Sequence, residues 1–235
     1  MKIFVVFFTL CAMIFASEFY SKIYPIDTYE VKSSVSGKVV KVNSSLEKNY
    51  VKNTMIIKID DYVNQIELKE SQKKLHNLNE VLKIQKSTYE SYKKVSSKSQ
   101  IEKDTQRIQV LNTETSISDL KVRIVSLKNS INDKNIYLKN KYLEMISVQV
   151  GDYVNLGSPL YSAYDLSKGK LIIYLPINSI NNYTNKTIYL DGKKTSLKLN
   201  AISKIADSVH ISSYKAEIIV PKPANFSKLV KVEFK

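Results

Sequence analysis

A long interval without glycine or proline constrains the fold of this chain more than any other feature of its sequence. All five glycines and all five prolines lie outside the stretch between Gly37 and Gly151. Because glycine and proline are the residues that most often interrupt regular structure, their absence permits long unbroken helices. The middle of the chain, from Asp61 to about Leu138, is therefore predicted to be helical.

The apolar residues of this interval repeat every seven positions, in two series separated by a polar break. The first series, with the residues at its intermediate spacing, consists of Leu68, Leu75, Leu78, Leu82, Tyr89 and Tyr92. The second consists of Val110, Ile117, Leu120, Ile124, Leu127, Ile131 and Leu138. Since seven residues make two turns of a slightly underwound helix, each series forms one apolar stripe.

The polar break at residues 94–99 marks the place where one helix ends and another begins. Lysines near its start suit the negative C-terminal end of a helix dipole. Ser99 and Glu102 then have the spacing of a capping box, a reciprocal hydrogen-bond arrangement that begins many helices. The pattern predicts helices from about Tyr62 to Val95 and from about Gln100 to Leu138. Because the connection is short, the helices should be antiparallel and cover each other's stripes.

Residues 1–17 have the form of a secretory signal peptide, which predicts export across a membrane. Lys2 supplies a short positive region, and an apolar stretch at residues 3–16 ends in small residues before a charge. The stretch is shorter than the roughly 20 residues of a membrane-spanning helix, but a short uncleaved anchor remains an alternative. The only cysteine, Cys11, lies in this segment, so cleavage would leave no thiol for a disulfide, a nucleophile or a metal.

Stretches on both sides of the helical interval have the two-residue period of β-strands. Residues 18–27 are expected to be a short linker, after which alternation begins at Tyr29. Strands are predicted at about residues 29–33, 38–42 and 55–59, with a turn at Ser36-Gly37. The strand pattern resumes at residues 142–148. Two similar β halves with a helical hairpin inserted between them predict one small β unit that is built from both halves.

The stretch from Val148 to Leu160 is the most specific in the sequence. Gly151 and Gly157 suit the positive φ angles of two tight turns. Val154 and Leu160 are expected to point inward. From residue 167 onward, short strands separated by turn signals predict a small β-barrel.

The barrel strands are expected at residues 171–176, 187–190, 197–199, 201–207, 213–220 and 230–234. A turn at Asp191-Gly192 is predicted to join the second and third of these strands as a hairpin.

Nothing in the sequence has the pattern of a catalytic, metal or cofactor site. The two histidines, His76 and His210, have no second ligand at metal-binding spacing. There is no G-x-S-x-G motif and no glycine-rich phosphate loop. The chain is therefore predicted not to be an enzyme and to bind no cofactor of its own.

The formal net charge of +14 comes from lysines that are spread along the chain among acidic residues. No arginine-rich cluster with interleaved aromatic residues is present, so a nucleic-acid partner is not expected. The charge is more consistent with a diffuse attraction to an anionic membrane surface.

In the order of its parts, the chain resembles the HlyD-type periplasmic adaptors, also called membrane fusion proteins. Their recurrent V-x-x-G-D-x-V-x-x-G-x-P-L pattern is matched by a stretch that includes Gly151, Asp152, Val154, Gly157 and Pro159. The stretch Ser99–Asp104 resembles the start of the family's second helix. The resemblance implies an α+β fold. A split barrel-sandwich (lipoyl-like) domain at residues 28–60 and 140–166 is interrupted by an antiparallel coiled-coil hairpin at residues 61–138, and a small β-barrel follows at residues 167–235.

The resemblance also implies a function. Such adaptors link an inner-membrane transporter, of the ABC or RND type, to a TolC-like outer-membrane channel for efflux or secretion. Ser91, Val95 and Ser99 occupy the hairpin-tip positions where many members carry Arg, Leu and Ser for docking. The protein would act in the periplasm at the inner membrane, and as a homo-oligomer because one hairpin cannot surround a conduit.

Two alternatives remain open. A self-associating coiled-coil structural protein of the periplasm would show the same stripes, although it would not need two β halves at the base of one hairpin. A lipoyl or biotin carrier would display its modified lysine on a tight turn between the halves. The helical hairpin occupies that position here.

Overall fold

The structure is a computed structural model that describes residues 17–235. All of the predicted signal peptide except Ser17 lies outside the described residues. The chain divides into two compact units. The hairpin unit is Glu30–Ala163, and the terminal unit combines residues 17–29 with residues 164–235.

Both helices and strands are present, as the α+β prediction requires. The strands are β1 Ser17–Lys22, β2 Tyr24–Lys32, β3 Gly37–Val42, β4 Asn49–Ile59, β5 Asn135–Ile146, β6 Tyr153–Val154, β7 Pro159–Pro176, β8 Ile188–Leu190, β9 Lys193–Lys194, β10 Leu199–Ala206, β11 Ser213–Pro221 and β12 Leu229–Phe234. The helices are α1 Tyr62–Lys94, α2 Gln100–Asp133 and α3 Asn181–Thr184.

Helices α1 and α2 form the antiparallel hairpin that the two apolar stripes predict. They contain 33 and 34 residues, so each is about 50 Å long at about 1.5 Å per residue. The most buried side chains of the hairpin are Val110, Ile117, Ile124 and Leu127, all on the stripe of α2. The stripe residues of α1 are half-buried. The helices therefore pack through the predicted faces.

Two ion pairs between the helices define their register. Lys86 Nζ lies 2.6 Å from Glu114 Oε1, and Arg123 Nη2 lies 2.6 Å from Glu67 Oε2. As α1 advances from Glu67 to Lys86, the partners on α2 move back from Arg123 to Glu114, which is the antiparallel order. Exposed pairs of this kind contribute little to stability, so the apolar stripes hold the hairpin together.

The second helix is shorter than predicted. It ends at Asp133, and β5 begins at Asn135. Leu138 is therefore not the last residue of the stripe, because its buried side chain belongs to the core of the β-strands. The seven-residue spacing from Ile131 to Leu138 happens to coincide with the inward face of β5. Asn and Asp side chains at residues 132–135 compete for backbone hydrogen bonds and favour helix ends.

The β-strands of the hairpin unit come from both sides of the hairpin. Strands β5, β4, β3 and β6 are neighbours in that order, and each pair is antiparallel. One buried core contains residues from before the hairpin, including Val39 and Ile57, and residues from after it, including Leu143 and Leu160. The two halves therefore form one β unit at the base of the hairpin.

The two glycine turns tie the second half to the first. Gly151 and Gly157 have φ angles of 105° and 86°, which L-residues with a side chain rarely adopt. The Gly151 N–H donates to the carbonyl of Val39 at 2.9 Å, and the Gly157 N–H donates to that of Ser33 at 2.8 Å. Within the first turn, Asp152 Oδ2 accepts the N–H of Gln149 at 2.8 Å.

The second turn is completed by Ser158, whose Oγ accepts the N–H of Asn155 at 3.0 Å. Pro159 follows as the first residue of β7. Val154 and Leu160 are both buried in the core, as predicted. The motif therefore holds the end of the second half against the first half.

The terminal unit shows that residues 18–27 are not a linker. Strand β1 pairs with β12 along its whole length, from Ser17 opposite Phe234 to Lys22 opposite Leu229. The prediction was wrong because the alternation is short and the outward positions carry aromatic residues. Tyr20 and Tyr24 are exposed, so an apolar residue stands on both faces and the two-residue period is obscured.

The core of the terminal unit is formed by β1, β7, β8, β11 and β12. The rings of Phe19, Tyr183 and Phe234 meet edge to face, with centroids 5.2–5.8 Å apart. Beyond β8, the predicted turn at Asp191-Gly192 is present, with both residues at positive φ. It leads into β9, which is Lys193–Lys194, so the returning strand lies earlier in the chain than the predicted residues 197–199.

We expect Ile124→Ala to destabilise the protein by about 2–5 kcal/mol, because the side chain is buried between the helices and truncation leaves a cavity. Leu78→Ala should cost less, since Leu78 is only half-buried on α1. Urea unfolding followed by circular dichroism at 222 nm measures both. Val122→Ala is the matched control on the exposed face of α2, and its effect should stay within about 0.5 kcal/mol. Equal effects at residues 122 and 124 would contradict the observed packing.

Candidate docking site at the hairpin tip

The hairpin tip is a tight connection at residues 95–99. Val95 leaves α1 in an extended conformation, with φ −94° and ψ 115°. Its N–H donates to the carbonyl of Tyr92 at 3.3 Å, and its carbonyl accepts the N–H of Lys98 at 3.3 Å. These bonds use backbone groups that the end of α1 would otherwise leave unpaired. The tip therefore has a defined conformation in which the chain reverses.

Ser99 begins α2 through the capping box that the sequence predicts. Its Oγ accepts the N–H of Glu102 at 3.3 Å, and the carboxylate of Glu102 accepts the N–H of Ser99 at 2.9 Å. The Ser99 hydroxyl also donates to the same carboxylate at 3.0 Å. Because this hydroxyl is already used within the tip, Ser99 holds the connection in place and offers little free hydrogen-bonding capacity to a partner.

Lys98 connects the two sides of the tip. Its Nζ lies 2.7 Å from Glu102 Oε1 and 4.6 Å from the centroid of the Tyr92 ring. The hydrogen bond to Glu102 raises the pKa of Lys98. Bonds from Lys98 and from Ser99 lower the pKa of Glu102 to about 2. The charges of Lys98 and Glu102 thus satisfy each other.

Val95 is an exposed apolar residue of the tip. It is 43% exposed and contributes no polar side-chain group. Ser91 lies one turn earlier on the same side of α1, and its Oγ donates to the carbonyl of Ser87 at 3.0 Å. Of the three predicted docking residues, Val95 and Ser91 therefore share a surface, while Ser99 supports the turn beside it.

Two further tip residues were not singled out from the sequence. Ile101 is exposed in the first turn of α2. Lys94 is exposed at the end of α1 and forms no ion pair within the described part of the chain. Ile101 lies outside the seven-residue stripe of α2, and an apolar residue out of register is the signal that would have identified it. Val95 and Ile101 therefore expose apolar area at the tip, and Lys94 exposes a cation there.

We expect the Glu102 carboxyl to titrate near pH 2 in the folded protein, against an ordinary value of 4.5. A lowered carboxyl pKa means that the ionised form stabilises the start of α2 above about pH 4.5, and this contribution is lost as the pH falls through about 2. A carbon-13 NMR titration of the side-chain carboxyl measures the midpoint. Ser99→Ala should move it back toward 4.5, whereas Ser96→Ala should not. An ordinary midpoint in the unmodified protein would contradict the capping geometry.

Neither a metal site nor a membrane span is found in residues 17–235. No three His, Cys, Asp or Glu side chains in this range lie close enough together to hold a metal ion. In the same range, no helix is both long enough and apolar enough to cross a membrane.

No protein-family model matches the chain, and no curated protein matches it by sequence. Solved structures do match its fold. The membrane fusion protein Spr0693 from Streptococcus pneumoniae R6 matches with a TM-score of 0.73 and 10% identity, over 93% of this chain and 98% of that one. A MacA–MexA chimera that contains the Pseudomonas aeruginosa MexA α-hairpin matches with a TM-score of 0.72 and 17% identity, over 94% and 81%.

MacA from Actinobacillus actinomycetemcomitans matches with a TM-score of 0.60 and 17% identity, over 94% of this chain and 78% of that one. These likenesses include the hairpin and the strands on both sides of it, because they extend over nearly the whole described chain. The chain therefore has the fold of the membrane fusion proteins, the HlyD-type periplasmic adaptors that its sequence pattern indicates.

Proposed function

We propose that this protein is a non-enzymatic periplasmic adaptor that links an inner-membrane transporter to an outer-membrane channel in efflux or secretion. The observation that supports this role is one β unit whose two halves are separated in sequence by a hairpin about 50 Å long. This arrangement places a rigid arm on a folded base, and structures described as membrane fusion and efflux proteins have the same fold.

Each unit has a distinct part in this proposal. The strands of the hairpin unit would form the split barrel-sandwich (lipoyl-like) domain, and the terminal unit would form the small β-barrel. The transporter, of the ABC or RND type, would contact these β parts. The hairpin tip would dock on a TolC-like channel, with Val95 and Ser91 at the contact and Ser99 fixing the turn.

The tip has suitable chemistry for a protein contact. Val95 and Ile101 provide apolar area, and Lys94 provides an unpaired ammonium group. A channel rim with backbone carbonyls and acidic side chains would satisfy that group. Because Lys98 and Glu102 already neutralise each other, a partner would not have to compensate a second charge.

Self-association without a transport role is the second candidate. It is favoured by apolar side chains on the outer face of α2, away from α1, namely Ile108, Leu111, Val122 and Val125, which are all exposed. Such a second stripe suits contact between neighbouring hairpins. The same contact would serve the homo-oligomer that an adaptor requires, so the presence of a transporter separates the two candidates.

The proposed function is tested by purifying the full chain from its native membranes in a mild detergent. We expect a homo-oligomer that retains a transporter in a fixed ratio through size-exclusion chromatography. Quantitative mass spectrometry gives that ratio. A homo-oligomer that carries no transporter would support the structural protein and overturn the adaptor.

A further inference from the structure

One loop of the terminal unit exposes an unusual concentration of aliphatic side chains. Ile205, Val209 and Ile211 lie in or beside the turn between β10 and β11, and they are 79%, 79% and 77% exposed. Single exposed aliphatic residues are common on protein surfaces. Three within seven residues of one turn form an apolar projection, which marks an interaction surface.

The turn is built so that it holds these side chains outward. Asp207 Oδ1 accepts the backbone N–H groups of Val209 at 3.0 Å and of His210 at 2.9 Å, and it lies 3.1 Å from His210 Nδ1. The His210 ring stacks on Tyr174 with centroids 3.7 Å apart. Because Asp207 and His210 fix the backbone, the projection is a structured part of the surface.

The first residue of the described chain lies at the same end of the terminal unit as this turn. Strand β1 runs opposite to β7, since Ser21 Oγ accepts the N–H of Ile172 at 2.9 Å. Three residues earlier on β7, Gly169 lies against the side chain of Ile23, because a Cβ added to Gly169 would be only 2.6 Å from Ile23 Cγ2. The later residue of the N-terminal segment is thus beside the earlier residue of β7. Residue 17 therefore lies level with the far end of β7, where Pro176 pairs with Ser213 immediately after the turn.

The sequence that precedes residue 17 is the apolar stretch at residues 3–16. It joins the terminal unit at the end that carries the aliphatic turn. As an uncleaved anchor, this stretch would hold this end of the unit at the membrane. A bilayer is the surface that the aliphatic turn would then meet.

The charges at this end favour an anionic lipid surface. Lys204 precedes the turn, and Lys186 follows α3, whose Tyr183 hydroxyl lies 3.2 Å from Ser17 Oγ. Both lysines are exposed. The carboxylate of Asp207 is occupied by the donors within the turn, so it opposes this attraction less than a free carboxylate would. The formal net charge of the whole chain, +14, acts in the same direction.

We propose that the β10–β11 turn inserts Ile205, Val209 and Ile211 into the interfacial region of an anionic bilayer. Insertion would be shallow, at the boundary between headgroups and acyl chains, where apolar side chains beside lysines are stable. This contact would seat the terminal unit on the membrane. It goes beyond the adaptor role and is independent of tip docking, so either proposal can fail without the other.

A local fluorescent probe tests the insertion in the full chain, whether or not residues 3–16 are retained. A Cys11→Ala, Val209→Cys protein is labelled with a nitrobenzoxadiazole dye and mixed with vesicles of phosphatidylcholine that contain one quarter phosphatidylglycerol. We expect a blue shift of the emission and quenching by lipids that carry a spin label near the headgroup. Cys11→Ala, Ile84→Cys is the matched control, because Ile84 is exposed on α1 of the hairpin. Its dye should remain in water.

Adding Ile205→Ser and Ile211→Ser to the labelled Val209→Cys protein should lower the lipid-bound fraction of the dye at least about tenfold, because two aliphatic side chains no longer leave water. Both positions are exposed, so folding should be unaffected. An unshifted dye at residue 209 in vesicles would overturn the proposal. If the dye at residue 209 is shielded from water in native membranes but not in lipid vesicles, the partner would be a membrane protein. That result would also overturn the proposal.

Discussion

Val95→Asp is expected to abolish transport or secretion by the complete system while the hairpin stays folded. The Val95 side chain is 43% exposed and lies outside the contact between the helices, so the substitution removes little packing. Docking of the tip would bury the new carboxylate without a partner. Burying an unpaired charge costs several kcal/mol, which corresponds to docking that is at least about 100-fold weaker.

The measurement compares cells that produce the variant with cells that produce the unmodified protein, in a strain that lacks the chromosomal copy. Resistance or secretion reports function, and a photo-reactive residue at position 91 reports proximity to the channel. We expect both signals to be lost together, with normal protein levels and normal circular dichroism.

Val63→Asp is the matched control for this experiment, because Val63 belongs neither to the tip nor to the outer face of α2. Val63 is 65% exposed on α1 and lies 32 residues from Val95, which is about 48 Å along the helix. If the tip is the docking surface, this variant should retain channel contact. A Val95→Asp protein with full function would remove the tip from the contact. Loss of function only in Val63→Asp would instead place the contact near the base of the hairpin.

The sequence predicts the hairpin well because a single physical requirement determines it. Every seventh residue of each helix must be apolar to cover the other helix, and no glycine or proline interrupts the pattern. The start of α2 is equally well specified, since Ser99 and Glu102 form the capping box locally. Structural features that depend only on residues close together in the sequence, such as the stripes and the capping box, can be inferred from the sequence alone.

Leu138 and the strand β1 show where such inference fails. Leu138 is buried in either a helix or a strand, and only the pairing of β5 with β4 decides between them. Strand β1 is short, and it is stabilised by pairing with β12, more than 200 residues away. Partners so distant in sequence leave no local periodic signal, which is why residues 18–27 appeared to be a linker.

The position of the hairpin tip follows from the sequence, whereas the roles of its residues do not. The break in the stripes locates the tip, and Val95 is exposed there. The sequence does not reveal that the Ser99 hydroxyl is occupied by Glu102, because that depends on the rotamers of both side chains. The match of Ser99 to a family docking position therefore indicates a residue that shapes the tip, and docking by Ser91 and Val95 stays a prediction.

Leu143→Ala is expected to destabilise the hairpin unit by about 3–5 kcal/mol, the upper part of the range for buried leucines. Leu143 is 0% exposed on β5, opposite Asn49 of β4. Its side chain packs in the core that both β halves share. Because a domain is typically stable by only about 5–15 kcal/mol, this single truncation would remove a large part of its stability.

Leu156→Ala is the matched control, since Leu156 belongs to the same unit and is 74% exposed. Its effect should stay within about 0.5 kcal/mol. Urea unfolding at 222 nm and at a near-ultraviolet wavelength follows the helices and the tyrosine-containing β-strands separately. Both transitions should move to lower urea together, because α1 and α2 continue directly from β4 and into β5.

A double-mutant cycle with Val51→Ala tests whether the two halves pack against each other. Val51 is buried on β4 in the same core, and its cross-strand partner is Lys141, two residues from Leu143. Residues that touch should show a coupling energy of about 0.5–3 kcal/mol, whereas distant residues add within about 0.5 kcal/mol. Measurable coupling means that a strand from before the hairpin and one from after it share a core. Additive effects, or a small destabilisation by Leu143→Ala alone, would mean that residues 135–163 do not fold onto residues 30–59. The hairpin would then have no common β base from which to act as an adaptor arm.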